Sequence, residues 1–441
     1  MKSARQTAFE ALLKIHKDGA YSNLAVDSVL KDNDSLDERD KAFVTNVIYG
    51  TLDRLMLIDY NLSLYLNQPL KKLKPELHTI LRMGAYQILF MDKVPSHAAV
   101  SESVALAKVN KSAFAASVVN AVLRRVAENG LRYPDIDEKS PKYLSIKYSC
   151  PEWLIELWTE AYGFDNALAL AEKAMEAPPV TVRVNNLKTN SEDLIWKLAE
   201  EGVIAERVPD MEDALYLKNT GAVDSLSAYK EGLFHAQDIA SQLCCRALAP
   251  VVGDMIFDMC SAPGGKAFTI AEIMGNTGTV KAFDIYQSRV DLIRKGAETL
   301  GITSIISTLS DAAVYNENFG TADRILCDVP CSGLGIIRRK PEIRYKNALD
   351  ISGIPEIQYS IVNNASRYLK SGGRLVYSTC TLNPAENEEV CDRFLANHPE
   401  FEAVDILPEI KRHKPGYKYL TLMPHIHSTD GFFIAVFEKK L

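Results

Sequence analysis

Long apolar runs are missing from this chain. None approaches the ~20 residues that a membrane-spanning helix needs, so no helical span is expected. The opening residues, MKSARQTAFEALLKIHKDGA, are broken by charges throughout and hold no signal-peptide core. The eight cysteines form no C-x-x-C pair, which argues against a zinc knuckle. No internal repeat and no low-complexity tract is visible. The expectation is a cytoplasmic globular protein without disulfides.

What is present is long and ordinary in composition. A chain of 441 residues exceeds one hydrophobic core, so two or three domains are expected. The net charge of −7 argues against a general nucleic-acid binder. Its distribution qualifies that argument. Residues 1–150 carry 21 Lys and Arg against 17 Asp and Glu, an excess of +4 that leaves −11 for the rest. Phosphate contacts are therefore sought in the N-terminal part, where Lys71, Lys72, Lys74, Lys108, Lys111, Arg124 and Arg125 are candidates.

Residues 1–130 read as all helix. Glycine is rare there and apolar residues recur every three or four positions. Phe43, Val47, Ile48, Leu52 and Leu55 form one stripe. Leu77, Ile80, Leu81, Gly84, Ile88 and Leu89 form a second, and Val118, Val119, Val122 and Val126 a third. The segments DERDKAFVTNVIYGTL, LRMGAYQILFMDKVPSHAAVSESVALAK and SVVNAVLRRV resemble the NusB fold, which implies an RNA-binding helical bundle. Residues 128–141 read as a linker. Two helical stretches follow, at 152–162 and 166–175. After Pro178 and Pro179 the period changes. VTVRVNNL and VIAERV read as strands around a helix capped by Asn190 or Ser191.

From about residue 232 to 441, strands and helices alternate, as in a doubly wound parallel sheet. The expected strands are 255–258, 279–284, 304–308, 324–328 and 374–378, closed by an antiparallel pair that includes DGFFIAVFE. Ligands bind outside the carboxyl ends of such strands. Three motifs fall there. DMCSAPGGK joins a strand to a helix, and Gly264 and Gly265 permit a tight turn and close backbone approach. The dinucleotide fingerprint G-x-G-x-x-G is absent from it, and what remains suits a ligand with an adenosine and an amino-acid tail. Asp284 ends the next strand, placed for ribose hydroxyls, and Asp311 follows the third, near an adenine amino group. The remaining two motifs are cysteines at strand ends, Cys331 in ILCDVPCSGLG and Cys380 in GGRLVYSTCTLNPAENEE. A disulfide or metal site built on them is a lesser reading, and the other cysteines read as buried hydrophobes. His413, His425 and His427 lack ligand spacing, so no metal is expected.

Together the motifs resemble the RNA (cytosine-carbon-5) methyltransferase family. The NusB-like N-terminus narrows the resemblance to the Sun/RsmB type, the branch that modifies 16S, the small-subunit rRNA. The resemblance implies three domains: a NusB-like bundle over 1–130, an α+β substrate-binding linker domain over 140–231, and a class I methyltransferase domain over 232–441. Arg183 and Asn185 match the linker-domain pattern, FHAQDIASQL (234–243) matches a segment flanking the cofactor, and RRKPEIRY (338–345) resembles a substrate segment. The last departs from the family in carrying Glu342 and Tyr345.

The implied cofactor is S-adenosyl-L-methionine, held by Cys260, Ser261, Ala262, Pro263, Gly264, Gly265, Lys266, Asp284, Asp311 and Asp328. Cys380 takes the role of nucleophile at cytosine carbon 6. Cys331 is the second thiol that assists release, and Asp328 meets the base edge. A flipped or unpaired cytosine is expected, because a base inside a helix hides its carbon 6. A monomer acting on 16S rRNA is the expectation. The alternatives are a tRNA cytosine methyltransferase and a non-catalytic RNA-binding assembly factor.

Overall fold

A computed structural model describes residues 2–33, 36–110, 115–406 and 418–441. Lys111 and His413 lie outside the described residues. The chain divides into two units, Met1–Ala177 with Ile337–Ala348, and Pro178–Ile336 with Leu349–Leu441.

The first unit is helical. Ser3 caps the helix Ala4–Asp18 by accepting from the Gln6 amide, and Gly19, in the left-handed region at φ 65°, ends it. Asp37 caps Glu38–Asp53 in the same way. The helices Pro75–Phe90, Ser96–Val109 and Ala116–Asn129 complete a bundle. Its core includes Phe9, Leu12, Val47, Ile48, Ile80, Leu81 and Leu123. The predicted stripes face this core, except that Val118 is 39% exposed. Its neighbour Val119 takes the inward position. The candidate phosphate contacts Lys71, Lys72, Lys74, Lys108, Arg124 and Arg125 are all exposed.

Two features of this unit bear on the sequence reading. The stretch read as a linker is tied down by the wholly buried Asn61. Its amide donates to the Leu57 and Arg132 carbonyls at 2.9 and 3.0 Å and accepts from the Arg132 N–H at 2.8 Å. The helices Pro141–Tyr148, Glu152–Tyr162 and Phe164–Lys173 follow that stretch and lie within the first compact unit.

The second concerns 338–345, expected to face substrate. Arg344 is wholly buried in the helical unit. Its guanidinium donates to the Ala174 carbonyl at 2.9 Å and the Asp53 carbonyl at 3.3 Å, and lies 3.4 Å from the Asp53 carboxylate. The Tyr345 hydroxyl donates to the Leu52 carbonyl at 2.6 Å, and Glu342 accepts the Ser22 N–H at 3.1 Å. These side chains are spent on packing. Burial pushes the Asp53 carboxyl up to about 6, and Arg344 and Arg54 oppose that rise.

The second unit begins with a four-stranded sheet, ordered β2-β3-β1-β4. Its strands are β1 (Val180–Val184), β2 (Ile204–Val208), β3 (Met211–Lys218) and β4 (Phe234–Ala236). The helix Ser191–Glu200 covers it, capped by Asn190, whose side chain accepts from the Glu192 and Asp193 amides. The sequence reading identified β1 and β2 but not β3 and β4. The segment 234–243, expected beside the cofactor, supplies β4 and then enters the helix Ile239–Leu248.

The larger sheet contains β5 (Met255–Asp258), β6 (Thr279–Asp284), β7 (Ile305–Leu309), β8 (Ala322–Asp328), β9 (Leu369–Thr379), β10 (Phe401–Ala403), β11 (Tyr419–Leu422) and β12 (Phe432–Lys439). The order is β10-β12-β9-β8-β5-β6-β7, with β11 on β12. The strands β5 to β9 run parallel, and β12 returns antiparallel to β9. Ile256, Phe257, Leu326, Cys327, Val376 and Tyr377 are wholly buried, as strands covered on both faces require. This is the class I methyltransferase architecture expected from the sequence.

A buried ion pair joins the two sheets. Arg183 on β1 donates to Glu272 at 2.8 Å, on the helix Gly265–Ile273. Asn185 donates to the Gly232 and Leu300 carbonyls, both at 2.8 Å. Both residues serve packing. Burial raises the Glu272 carboxyl to about 7, although Arg183 opposes this. His235 also faces Glu272, at 3.5 Å, and burial lowers it to about 3.

Two outcomes are expected. Arg344→Met strands Asp53 and several carbonyls, and should cost the helical unit about 3–5 kcal/mol in a urea titration. Glu272 has a folded-state value above its ordinary 4.5. Its contribution is therefore fully present below that value and is lost as pH rises toward 7. Glu272→Gln has no such titration, so its stability deficit against wild type should shrink between about pH 5 and about pH 8. A deficit that grows over that interval would refute this account. The His235 titration, which acts in the opposite sense as pH falls, is common to both proteins.

Candidate functional site

The site lies at the carboxyl edge of the larger sheet, where the parallel strands end together. β5 leads into the turn 259–264 and the helix Gly265–Ile273. Within the turn the Ala262–Pro263 peptide is cis. The Ser261 amide donates to the Phe283 carbonyl and the Gly264 amide to the Ser261 carbonyl, each at 2.8 Å. Gly264 has φ 111°, and a Cβ there would collide with the Phe268 ring. Only glycine fits this bend. Cys260 packs against the core, and burial raises its thiol well above the ordinary range. It contributes backbone and volume.

Asp284, at the end of β6, is buried and accepts the Tyr286 amide at 3.0 Å, with Arg289 3.9 Å away. Asp311 follows β7, accepts the Ala313 amide at 2.9 Å, and lines a cleft of about 530 Å³ with Ser310, Val314 and Tyr315. Exposed Ile285 and Val314 supply apolar surface beside these acids.

Asp328 closes β8. One of its oxygens accepts the Ser378 hydroxyl at 2.8 Å, from β9. The other accepts the Lys266 ammonium at 2.7 Å. The sequence reading placed Lys266 among cofactor contacts, whereas the structure puts its charge on Asp328. That carboxylate is the principal cause that raises the Lys266 ammonium above its ordinary value, against a larger opposing effect of burial. Asp258, which the sequence reading missed, is wholly buried behind this pair. Burial pushes its carboxyl up to about 7; the nearby Asp328 charge acts in the same direction, while Ser261 and Lys266 oppose it. Its position at the end of β5, as Asp284 ends β6, was the available signal.

Cys331 follows β8 and Cys380 follows β9. These strands are parallel neighbours, with Asp328 in register with Ser378, so the two thiols arrive side by side. Their sulfurs are 3.1 Å apart. Both residues are partly accessible. The Gly335 amide donates to the Cys380 carbonyl at 3.0 Å, which joins the two loops. The hydrogen bond it shares with Cys380, burial, and the charges of Cys380, Glu386 and Asp328 push the Cys331 thiol well above its ordinary range. Cys244, Cys245, Cys327 and Cys391 are buried in the core.

Among the described residues, no group of three or more His, Cys, Asp or Glu side chains is placed to hold a metal ion. None of the helices searched there is long and apolar enough to cross a membrane.

The family model for 16S rRNA methyltransferase RsmB/F matches residues 245–438. The NusB family model matches 2–128, and the ferredoxin-like domain of the RsmF/B-like methyltransferases matches 150–224. A relative from Bacillus subtilis (strain 168), named "Probable ribosomal RNA small subunit methyltransferase B", is 39% identical over 99% of this chain and 99% of its own length. A Vibrio cholerae relative named "Ribosomal RNA small subunit methyltransferase B" is 32% identical over 91% of this chain and 90% of its own. The crystal structure of PH0851 superposes with a TM-score of 0.84 at 28% identity, covering 98% of this chain and 99% of that one. Similarity that runs from the helical bundle through the paired-cysteine sheet edge shows that the chain belongs to the 16S rRNA methyltransferase RsmB/F family, in its NusB-fused branch.

Proposed function

We propose that this protein methylates carbon 5 of a specific cytosine in 16S rRNA through a covalent Cys380 adduct at carbon 6. The observation that carries the reading is the 3.1 Å approach of the Cys331 and Cys380 sulfurs beside Asp328. The family membership and the names of the relatives support the class of substrate.

S-adenosyl-L-methionine, when bound, supplies an electrophilic methyl group on a sulfonium. The residues present suit it. A Cβ at Gly265 would meet only the Gln237 side chain, at 3.8 Å, so the backbone there can be approached closely, Asp284 and Asp311 offer acceptors for hydroxyl and amino groups, and Ile285 and Val314 offer apolar surface. Cys260, Ser261, Ala262, Pro263, Gly264 and Lys266 complete the turn.

Carbon 5 of cytosine is a weak nucleophile. Bond formation between the Cys380 sulfur and carbon 6 moves the electron pair of the 5,6 double bond onto carbon 5, which can then take the methyl group. A free thiol ionises near ~8.5, so an attacking thiolate must be generated as substrate engages. Asp328 can accept the exocyclic amino N–H of the cytosine and so orient the base, and the Lys266 ammonium paired with it supplies the positive charge that offsets the negative charge developing in the ring. Restoring the double bond requires loss of the carbon-5 proton and rupture of the carbon–sulfur bond. The protonated Cys331 can deliver its proton to the departing Cys380 sulfur, and the Cys331 thiolate so formed can accept the carbon-5 proton. Protons and electrons then balance, and both cysteines return to their starting states. The exposed cations of the helical bundle, among them Lys71, Lys72 and Arg124, are suited to rRNA phosphates.

The test is methyl transfer from labelled S-adenosyl-L-methionine to 16S rRNA from cells lacking the protein. Label is expected as 5-methylcytosine at one site. Cys380→Ala should lose it by more than ~10³-fold, as removal of a nucleophile does. Cys331→Ala should form a denaturant-resistant protein–RNA complex and turn over slowly. Transfer to tRNA instead of rRNA would move the substrate, and full activity of Cys380→Ala would refute the mechanism.

A further inference from the structure

Beneath the two cysteine loops lies a carboxylate that the chemistry above does not use. Glu386 ends the short 3-10 helix Pro384–Glu386 and is wholly buried. One oxygen accepts the Ser332 amide at 2.8 Å and the Gln358 side-chain amide at 3.1 Å. The other accepts the Ser332 hydroxyl and the Asn383 side-chain amide, the latter at 2.9 Å. Four donors converge on two oxygens, which matches the four acceptor sites of a carboxylate. There is no counter-cation among these partners, so the charge is held by hydrogen bonds alone.

The partners show what the carboxylate holds. Ser332 is the residue after Cys331, and both its amide and its hydroxyl are engaged. The Gln358 amide also donates to the Pro330 carbonyl at 2.9 Å, the residue before Cys331. The Ser332 hydroxyl meets that of Thr381, next to Cys380, at 2.7 Å. Cys331 is therefore clamped on both sides, and the clamp is anchored in the loop that carries Cys380.

We propose that Glu386 is the positioning residue that holds the Cys331 thiol against Cys380 for the release step. The inference rests on the roles assigned to the two cysteines. It makes a specific division. Attack by Cys380 needs substrate and that thiol. Release needs Cys331 at the sulfur it must protonate, and so needs the clamp. The negative charge also favours the protonated form of Cys331 over its thiolate.

The experiment compares Glu386→Gln, Cys331→Ala, Cys380→Ala and wild type, all as full-length chains on the same rRNA. In Glu386→Gln an amide N–H₂ must face donors now bound to oxygen, which displaces Ser332. Steady-state turnover should fall roughly 10- to 100-fold. The KM for rRNA and the methyl transferred in a single turnover should stay within about threefold of wild type. A denaturant-resistant protein–RNA complex should accumulate, as in Cys331→Ala. The double variant Asn383→Asp/Glu386→Gln reverses one hydrogen bond and restores an acceptor for the new amide, so turnover should recover. It also serves as the measured variant if Glu386→Gln alone does not fold.

Wild-type turnover in Glu386→Gln, with Cys331→Ala stalled and Cys380→Ala dead, would overturn the inference and leave the mechanism standing. Loss of single-turnover transfer in a folded Glu386→Gln would overturn it too, by placing the residue at attack. A folded double variant that still stalls would do the same. Full activity of Cys380→Ala would remove the mechanism and this inference with it.

Discussion

The salt bridge between Lys266 and Asp328 is the contact on which the site depends. It joins the ends of two neighbouring central strands: Lys266 lies in the first turn of the helix that follows β5 and the glycine turn, and Asp328 ends β8, the strand that delivers Cys331. Ser378 binds the second Asp328 oxygen and adds the strand that delivers Cys380. One carboxylate thus holds three segments in register. Asp258 lies behind it, with its own carboxyl raised, so that a single net pairing survives in a region that holds two acids and one base.

Around that centre the protein makes two chemically identical groups different. Both thiols come from parallel neighbouring strands and reach the same edge. The residues on either side of Cys331 are tied to the Glu386 carboxylate, Ser332 directly and Pro330 through Gln358, and the Cys331 thiol is pushed above its ordinary range. In the proposed mechanism the two thiols then divide attack and release between them. The division comes from what lies under each loop, since the residues themselves are the same.

Buried charge also organises the parts away from the chemistry. Arg183 and Glu272 fasten the small sheet to the helix behind the glycine turn. Arg344 is enclosed in the helical unit with Asp53, and the chain enters that unit at Ile337, six residues after Cys331. The end of a segment that resembled a substrate-contacting stretch, from Glu342 to Tyr345, is in this protein occupied with packing.

The sequence by itself determined the strand ends and what they carry. Asp258, Asp284, Asp328 and the residues before Cys380 follow short apolar runs bounded by turns, and parallel strands must deliver such ends to one edge. The helical stripes were legible for the same reason: periodicity is local, and only Val118 broke it. The partner of Lys266, the burial of Arg344, the clamp at Glu386 and the existence of β3 and β4 were decided by the tertiary structure alone. Glu386 and Ser332 are 54 positions apart, and Arg344 and Asp53 are 291 apart. Pairings at such separations depend on where whole elements pack, and no local pattern encodes them.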